Sequence, residues 1–311
     1  MPLITLYKGT TGLNTVLEPK SLISNAEENL IEFSQAVNIA INDRGLTTLR
    51  NGNVLVKSGE YHSLFCDTGD CFIIEERESD ASIMQLNGDG TTTGIGSSLT
   101  KGLRMAWCQS GEDTFYSNTV QNGFIRAGVS RAWPVNTNSN PDDDRQFLTE
   151  IPKASHIAIR QHGQMLLAVD NVILANDFPF MYGLFCLRSG VIAAFESNVT
   201  MLVSVGDGFY ASDGKSTWFF RQMEGWYNYK QELIENAPAL IGAVAIDKIR
   251  LTDAGMESPG YGAVWASTKG ICLGPDNGQA NNRTSSKIVY PDGYTSGACL
   301  IKNNTVIHTA Q

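Results

Sequence analysis

The segment Gly208–Ser216 comes nearest to a nucleotide-binding motif in this sequence. It reads Gly-Phe-Tyr-Ala-Ser-Asp-Gly-Lys-Ser, with a lysine and a serine behind its second glycine, as in a phosphate-binding loop. That loop needs four residues between its glycines and lies between a strand and a helix, whereas five residues separate Gly208 from Gly214. We therefore interpret Asp213-Gly214 as a hairpin turn between two strands and predict no nucleotide hydrolysis.

Two acidic segments could in principle bind a hard cation. The first is the run Asp142, Asp143, Asp144, and the second is Asn87-Gly88-Asp89-Gly90. A calcium loop places its ligands at alternating positions around a central glycine, and neither segment has that spacing. We interpret the aspartate run as part of an exposed loop over residues 136–146 and predict no metal site and no cofactor.

The histidines and serines show no catalytic spacing. No pair of histidines has the His-x-x-x-His or His-Glu-x-x-His spacing that places two imidazoles on one helix face, and no Gly-x-Ser-x-Gly elbow is present. The sequence therefore predicts no catalytic residue, and we expect a protein that is not an enzyme. The four histidines are His62, His156, His162 and His308.

Most of the six cysteines lie in apolar, strand-like segments such as Met105-Ala106-Trp107-Cys108. Free cysteine is among the most buried residue types, so we interpret all six as reduced core thiols of a protein made in a reducing compartment. Cys66 and Cys71 are too far apart for a Cys-x-x-Cys site, and there is no second pair to complete a zinc tetrad.

The charge balance and the hydropathy exclude several classes of protein. The formal net charge is -9 and no block of Lys and Arg occurs, which argues against a protein that grips a phosphate backbone. No apolar run approaches the roughly 20 residues of a membrane span. The start of the sequence lacks the pattern of a signal peptide, and we expect synthesis in a cytoplasm without secretion.

A short pattern of glycine or turn residues followed by an apolar strand recurs about every 40 to 55 residues, close to the period of one propeller blade. Interspersed aromatic residues such as Trp107, Phe209 and Trp265 are expected in the core between blades. The sequence thus predicts an all-β, propeller-like fold of about six blades. The six copies are Gly69–Ile74, Gly111–Tyr116, Gly163–Ala168, Gly206–Ala211, Gly262–Ala266 and Asn303–His308.

The first part of the chain lacks the repeat, so we divide it into residues 1–35, an N-terminal arm and closing segment, and 36–311, the propeller-like domain. Within the arm, Ser24 or Asn25 before Ala26–Ile31 predicts a capped short helix or turn. A second short helix, or an excursion between blades, is predicted within an irregular stretch of about residues 222–260, which contains Glu232–Glu235.

The segments Ala36–Ile41 and Leu46–Leu49 flank a turn and predict a hairpin. Because short strands with similar turn spacing also build sandwiches, a pair of β-sandwiches remains an alternative to the propeller.

Several segments resemble a family of tailed-bacteriophage virion proteins, the propeller-like tail accessory and nozzle proteins of short-tailed phages. The resemblance spans much of the chain from Tyr7 to Gly274, and none of its motifs is a catalytic signature. The matching segments are Tyr7–Val16, Ala36–Leu46, Tyr61–Phe65, Gly102–Ala106, Val129–Pro134 and Ala263–Gly274.

The resemblance implies a structural role in the head-tail connector, tail nozzle or tail tip, around the channel through which DNA leaves. It implies a ring of several copies, contacts with portal, adaptor or tail proteins, and location in the virion. A glycan-binding or glycan-cleaving propeller for host recognition is the alternative. The candidate assembly contacts are Leu3, Leu6, Tyr7, Leu13, Asp142, Asp143 and Asp144.

Overall fold

In a computed structural model, the described part of the chain is built from β-strands and contains no helix. The structure describes residues 9–13, 22, 24–25, 30–33, 39–41, 47–49, 55, 57–67, 69–136, 147–186, 190–247, 262–285, 293–302 and 305–310.

The first strands form two small sheets. Strands β1 (Gly9–Leu13), β2 (Ser24–Asn25) and β3 (Leu30–Phe33) make a three-stranded sheet with β3 in the middle, parallel to β1 and antiparallel to β2. Strands β4 (Ile39–Ile41) and β5 (Thr47–Leu49) pair as an antiparallel hairpin. The predicted hairpin is therefore confirmed.

Five antiparallel sheets of four strands follow, each with its strands in chain order, and they form the blades of a β-propeller. Blade 1 has β6 (Tyr61–Asp67), β7 (Asp70–Glu76), β8 (Ala81–Leu86) and β9 (Thr92–Leu99); blade 2 has β10 (Ala106–Ser110), β11 (Asp113–Ser117), β12 (Asn122–Arg126) and β13 (Val129–Arg131); blade 3 has β14 (His156–Ile159), β15 (Met165–Val169), β16 (Val172–Ala175) and β17 (Val191–Ala194); blade 4 has β18 (Met201–Ser204), β19 (Gly208–Ser212), β20 (Thr217–Gln222) and β21 (Tyr229–Glu235); blade 5 has β22 (Ala239–Asp247), β23 (Gly262–Ser267), β24 (Gly270–Gly274) and β25 (Asn281–Asn282).

A final hairpin joins β26 (Gly297–Lys302) and β27 (Thr305–Ala310). It lies beside the first strand of blade 5, where the Ile241 amide donates to the Thr295 carbonyl at 3.0 Å and Ile241 bridges Ser296. The predicted propeller of about six blades thus agrees with five four-stranded blades followed by this hairpin.

Each sequence repeat corresponds to the second strand of its sheet. The first five copies lie on the second strands of blades 1 to 5, and the last copy leads into β27. The reason is burial, since in blade 4 every residue of Gly208–Ser212 is buried. Strands covered on both faces carry the strongest apolar signal in a sequence.

The antiparallel order within a blade gives the propeller two distinct ends. The connector end carries the segment from each blade's fourth strand to the next blade's first strand, together with the turn between its second and third strands. The hairpin end carries the other two loops of each blade. The first strands of successive blades lie beside one another, as strands around a propeller axis do.

Aromatic and aliphatic side chains fill the spaces between blades, as predicted. Between blades 3 and 4, Phe209 stacks on Phe220 with ring centroids 4.7 Å apart, and both are buried with Leu166 and Ile173. Between blades 4 and 5, the Tyr210 and Trp265 rings pack in a separate cluster, with centroids 5.2 Å apart.

The helical alternative is wrong in both predictions as far as the described residues show, and residues 26–29, where a turn was the other alternative, lie outside them. Leu30 and Ile31, where the first helix would end, lie in β3, and Glu232–Glu235 belongs to β21. In β21 a full partner strand, Thr217–Gln222, supplies a ladder of backbone hydrogen bonds. Tertiary pairing of this kind overrides weak local propensity.

The cysteine prediction holds for four of six. Cys108, Cys186, Cys272 and Cys299 are free thiols, and the first three are buried. Cys66 and Cys71 are bonded in a disulfide instead. They are direct partners across the β6–β7 hairpin with Cα atoms 4.2 Å apart, a separation that the spacing in sequence does not reveal.

Candidate interaction surface

The assembly contacts predicted from the sequence fall largely outside the described residues. This holds for Leu3, Leu6 and Tyr7, and for Asp142, Asp143 and Asp144 with most of the loop predicted around them. Leu13 is the last residue of β1. The predicted assembly contacts therefore stay predictions.

The predicted turn at Asp213-Gly214 is confirmed at the connector end of blade 4. The Asp213 carboxylate accepts the backbone amides of Lys215 and Ser216 at 2.9 and 2.8 Å. An aspartate that bonds the backbone two and three residues ahead is typical of a tight turn. The segment is therefore a turn between two strands and not a phosphate-binding loop.

The hairpin end of blades 3 and 4 carries exposed apolar side chains. The loop between β16 and β17 presents Phe178, Phe180 and Met181, which are 43%, 64% and 41% exposed, and the loop between β20 and β21 presents Met223 at 44%. We call these four residues the apolar patch. Scattered exposed apolar residues are ordinary, whereas several from adjoining loops mark a contact surface.

Phe180 is held in an unfavourable backbone conformation. Its φ is 61°, in the left-handed region that bulky residues seldom adopt. Its amide donates to the Gly163 carbonyl at 2.8 Å, and its ring lies over Gly163, where a Cβ would come within 2.7 Å of the ring. The glycine thus makes room for a phenylalanine that presents most of its surface to solvent.

A hydrogen-bond network under the patch fixes the two loops to one another. Trp226 Nε1 donates to the Asn176 carbonyl at 2.6 Å, and Gln164 Nε2 donates to the Trp226 carbonyl at 2.7 Å. The Asn176 side-chain amide donates to the Phe178 carbonyl at 2.6 Å. Asn176 and Gln164 are fully buried, so these bonds form away from water and hold the patch rigidly.

Arg160 places a buried positive charge in the same network. Its guanidinium donates to the Tyr229 hydroxyl at 3.2 Å and to the Gly206 carbonyl at 3.0 Å. The Tyr229 hydroxyl donates in turn to Gln164, and burial raises the pKa of Tyr229. The Gly206 amide donates to Asp276 at 2.7 Å, which extends the network to blade 5.

A hydroxyl, an imidazole and a carboxylate align at the connector end of blade 1. Ser63 Oγ lies 2.8 Å from His62 Nδ1, and His62 Nε2 lies 2.7 Å from Glu76 Oε1. Ser63 has a φ of 54° and sits at a bulge in the pairing of β6 with β7. Residues in this order can activate a hydroxyl nucleophile, and sequence spacing did not reveal them because Glu76 arrives from the neighbouring strand.

Other bonds show that these three residues tie blade 1 to blade 2. The Met105 amide donates to Ser63 Oγ at 2.9 Å, and Trp107 Nε1 donates to the Ser63 carbonyl at 2.8 Å. The Gly102 amide donates to Glu76 Oε1 at 2.9 Å. The hydroxyl oxygen is thus held by the chain entering blade 2, which explains the arrangement as an inter-blade junction.

The Glu76 carboxyl is charged in this junction. Burial acts to raise its pKa, but the Gly102 amide, His62 and Lys101 together lower the pKa below its usual value. The junction therefore pairs a carboxylate with donors from two blades and is held together electrostatically.

The described ranges contain neither a cation site nor a membrane-spanning helix. No three His, Cys, Asp or Glu side chains there are grouped as a cation site. No helix in the same residues has the length and hydropathy to cross a bilayer.

Comparisons with known proteins return remote structural similarity. No protein family and no curated protein matches the sequence. PorZ, an essential bacterial surface component of the type-IX secretion system of Porphyromonas gingivalis, is similar at a TM-score of 0.49 and 9% identity, over 86% of this chain and 32% of its own. A protein assigned as a 6-phosphogluconolactonase, from Bacteroides uniformis, is similar at 0.48 and 11%, over 87% of this chain and 80% of its own.

The computationally designed protein Ika8 is similar at a TM-score of 0.45 and 12% identity, over 80% of this chain and 68% of its own. This chain spans about a third of the length of the PorZ structure. At such identities and TM-scores, the similarity carries no information about what this protein binds or catalyses.

Proposed function

We propose that this protein is a structural component of a tailed-phage particle, a non-enzymatic propeller that assembles with further copies of itself in the connector, nozzle or tail tip. The observation that carries the proposal is the apolar patch, held rigidly at one end of the propeller by the network around Gln164 and Asn176. A contact surface that is already ordered loses little entropy when it binds. The resemblance of the sequence to propeller-like virion proteins supports the choice of setting.

The occupant we propose for the patch is the segment Met1–Tyr7 of a neighbouring copy. This segment supplies Leu3, Ile4, Leu6 and Tyr7, and Lys8 follows it. Exposed carboxylates adjoin the patch, since Glu224 follows Met223 in the chain and the Gln222 amide donates to the Asp207 carbonyl at 3.0 Å. Apolar side chains that end in a lysine therefore match an apolar patch with an acidic rim.

Deleting residues 1–7 tests the assembly, because this deletion removes the proposed occupant and keeps β1, Gly9–Leu13. We expect a folded protein that stays monomeric under conditions in which the full chain associates, measured by light scattering after gel filtration and by circular dichroism. A truncated protein that associates as the full chain does would contradict the role of this segment.

Two point variants test the patch. Phe180→Asn removes the exposed ring but suits the left-handed backbone, so we expect loss of association with no loss of stability. The matched control is Leu233→Asn, which removes a side chain 49% exposed on β21, away from the patch, and should associate normally. If both variants associate to the same extent as the wild type, the apolar patch is not the assembly contact.

A photo-crosslinking residue at Met223 tests the occupant. The expected adduct, identified by peptide mapping, joins position 223 to residues 1–15 of a second copy. An adduct with any other segment would overturn this assignment.

Gold-labelled antibody on purified particles then tests the setting. Label at the head-tail junction or the tail tip supports the proposal. Label on fibres favours the glycan-binding alternative, and absence of label contradicts a virion role.

A further inference from the structure

The final hairpin occupies the position of a sixth blade beside blade 5. Strand β26 follows the fourth strand of blade 5 in the chain, and the bridge between Ile241 of β22 and Ser296, the residue before β26, is parallel. The first strands of neighbouring blades run parallel because each starts at the connector end. The Arg104 guanidinium holds the two segments together, since it donates to the Ile241 carbonyl at 3.2 Å and to the Gly297 carbonyl at 3.0 Å. Strands β26 and β27 therefore correspond to the first and second strands of a blade.

One face of this hairpin packs on blade 5. Cys299 and Ile301 of β26 contact the buried side chains of Val264 and Leu273, on the second and third strands of blade 5. Side chains two positions apart lie on the same face of a strand. The hairpin thus meets blade 5 as two blades meet, through side chains that fill the space between their sheets.

Two exposed leucines lie on the first strands at either side of a gap between this hairpin and blade 1. Leu300 of β26 is 44% exposed, and Leu64 of β6 is 55% exposed. By comparison, Met201, Leu202 and Val203 on the first strand of blade 4 are all buried in the clusters that join blade 4 to blades 3 and 5. In the described part of the chain, the two leucines therefore mark faces that no adjoining blade covers.

The sheet of the final hairpin ends at its second strand. In blades 1 to 5 the second strand pairs with a third strand on its outer side, whereas the described residues place no third strand beside β27. Its sequence is nevertheless that of a second strand, since the repeat copy Asn303–His308 leads into it. The last strand of a sheet can accept a further strand through backbone hydrogen bonds.

The β4–β5 hairpin has the size and the chain position of the two strands that would complete this blade. It supplies two antiparallel strands in a sheet of their own. Strand β5 leads through residues 50–60 into β6, the first strand of blade 1, as the fourth strand of each blade leads to the next first strand. The length of this connection falls between those of the connections 236–238 and 132–155, which join other blades.

We propose that the β4–β5 hairpin docks on the outer edge of β27 in the same copy and completes a sixth blade, with β4 as the third strand and β5 as the fourth. A second strand ends at the connector end, where a third strand begins, so the pairing of β4 with β27 is antiparallel. A hairpin tethered in the same chain has a high effective concentration at this edge and needs no second copy. The proposal therefore does not depend on the assembly function.

The completed blade has two consequences for the surface of the protein. It would cover the faces that carry Leu64 and Leu300, which explains why both positions are apolar. Because a third strand begins at the connector end, residues 1–38 would leave the propeller there, at the end opposite the apolar patch.

The first test is hydrogen exchange of the wild-type monomer, resolved to single amides of Thr305–Ala310. In a sheet that ends at β27, every second amide of this strand exchanges rapidly, whereas a third strand protects those amides as well. We expect consecutive amides to be protected by about tenfold or more, as in the second strand of blade 4, Gly208–Ser212. Rapid exchange at every second amide of β27 would overturn the proposal.

A proline in β4 tests the occupant. Ala40→Pro removes a backbone donor from a strand that would be paired on both sides, so every second amide of β27 should exchange about tenfold or more faster while blade 3 stays protected. The matched control is Ile31→Pro in β3, the middle strand of the first sheet, which should leave β27 unchanged. Unchanged protection of β27 in Ala40→Pro, or an equal loss in both variants, would contradict the assignment.

A photo-crosslinking residue at Thr309 identifies the docked segment without a destabilising substitution. Thr309 is exposed on β27, and the expected adduct joins it to residues 36–50 within a single chain, as shown by peptide mapping of the band that migrates as a monomer. Lys230, exposed on β21 of blade 4, is the control position and should give no adduct with this segment. An adduct that joins two chains would assign the edge to a second copy and overturn the proposal, as would the lack of any adduct with residues 36–50.

Discussion

The two ends of the propeller differ in what they expose, although the same blades build both. The connector end carries Arg104, whose guanidinium donates to the Ile241 carbonyl, and the Glu76–His62 pair between blades. The hairpin end of blades 3 and 4 exposes Phe178 and Phe180 above a buried polar network. The connector end is thus marked by these charged side chains, whereas this part of the hairpin end is marked by exposed apolar side chains.

The loop that carries most of the apolar patch is long. The turn between β19 and β20 is short and closed by Asp213, whereas the chain between β16 and β17 runs from residue 176 to residue 190. A long loop can place side chains outside the blade core without disturbing the strands. The loop between β16 and β17 can therefore present Phe178 and Phe180 while blade 3 keeps its strands.

The largest expected effect comes from the core that supports both ends. Phe209→Ala removes a fully buried ring between blades 3 and 4 and should lower the free energy of unfolding by about 3–5 kcal/mol. Phe180→Ala removes a ring of the same size that is 64% exposed, and should change the free energy of unfolding by less than about 1 kcal/mol. Urea denaturation measures both, and similar losses would contradict the assigned burial.

The next effect is loss of the network beneath the apolar patch. Gln164→Leu removes the donor to the Trp226 carbonyl and the acceptor of the Tyr229 hydroxyl proton, at a cost of about 2–3 kcal/mol. Hydrogen exchange should accelerate in residues 223–228, while blade 1 remains protected. Gln222→Leu is the control, because its 3.4 Å bond to Gly225 is exposed, and uniform acceleration throughout would show that the network does not act locally.

At the connector end, stability should fall in acid. An unfolded His156 binds a proton below its ordinary pKa of about 6.5, whereas the folded ring binds one below about 4. Between these values the unfolded state holds more protons, so the free energy of unfolding decreases as the pH falls, by about 3 kcal/mol at most.

His156→Gln should reduce this dependence between pH 6.5 and 4, as measured by urea denaturation at each pH, and leave the part that arises from the lowered pKa values of His162 and His308. The lowered pKa of Glu76 acts in the same direction, since its contribution to stability is lost as the pH falls through the pKa of the folded state. An unchanged pH slope in His156→Gln would assign the acid sensitivity to other groups.

The smallest effect concerns the disulfide at the hairpin end of blade 1. Cys66 and Cys71 close a short loop, so Cys71→Ser should cost roughly 2 kcal/mol or less. Thiol titration of the denatured, unreduced protein should count four free thiols of the six cysteines. A count of six thiols would show that every cysteine is reduced, as the sequence predicted. Cys299→Ser serves as the control for the loss of an unpaired thiol.

The sequence by itself determined the fold class, because the signal it carries is local. Each buried second strand, such as Gly208–Ser212, follows a turn residue, and the hairpin of β4 and β5 lies within eleven residues, Ile39–Leu49. Alternation along a strand and turn chemistry act between neighbours in the chain, so they can be seen without the structure.

Only the tertiary structure decided the contacts between distant segments of the chain. Arg104 meets Gly297 from 193 residues away, and Trp226 meets Asn176 from 50 residues away. Likewise β21 is a strand because β20 pairs with it, not because of its own pattern. Contacts between blades depend on how the ring closes, and that closure brings together residues whose spacing in the sequence has no period.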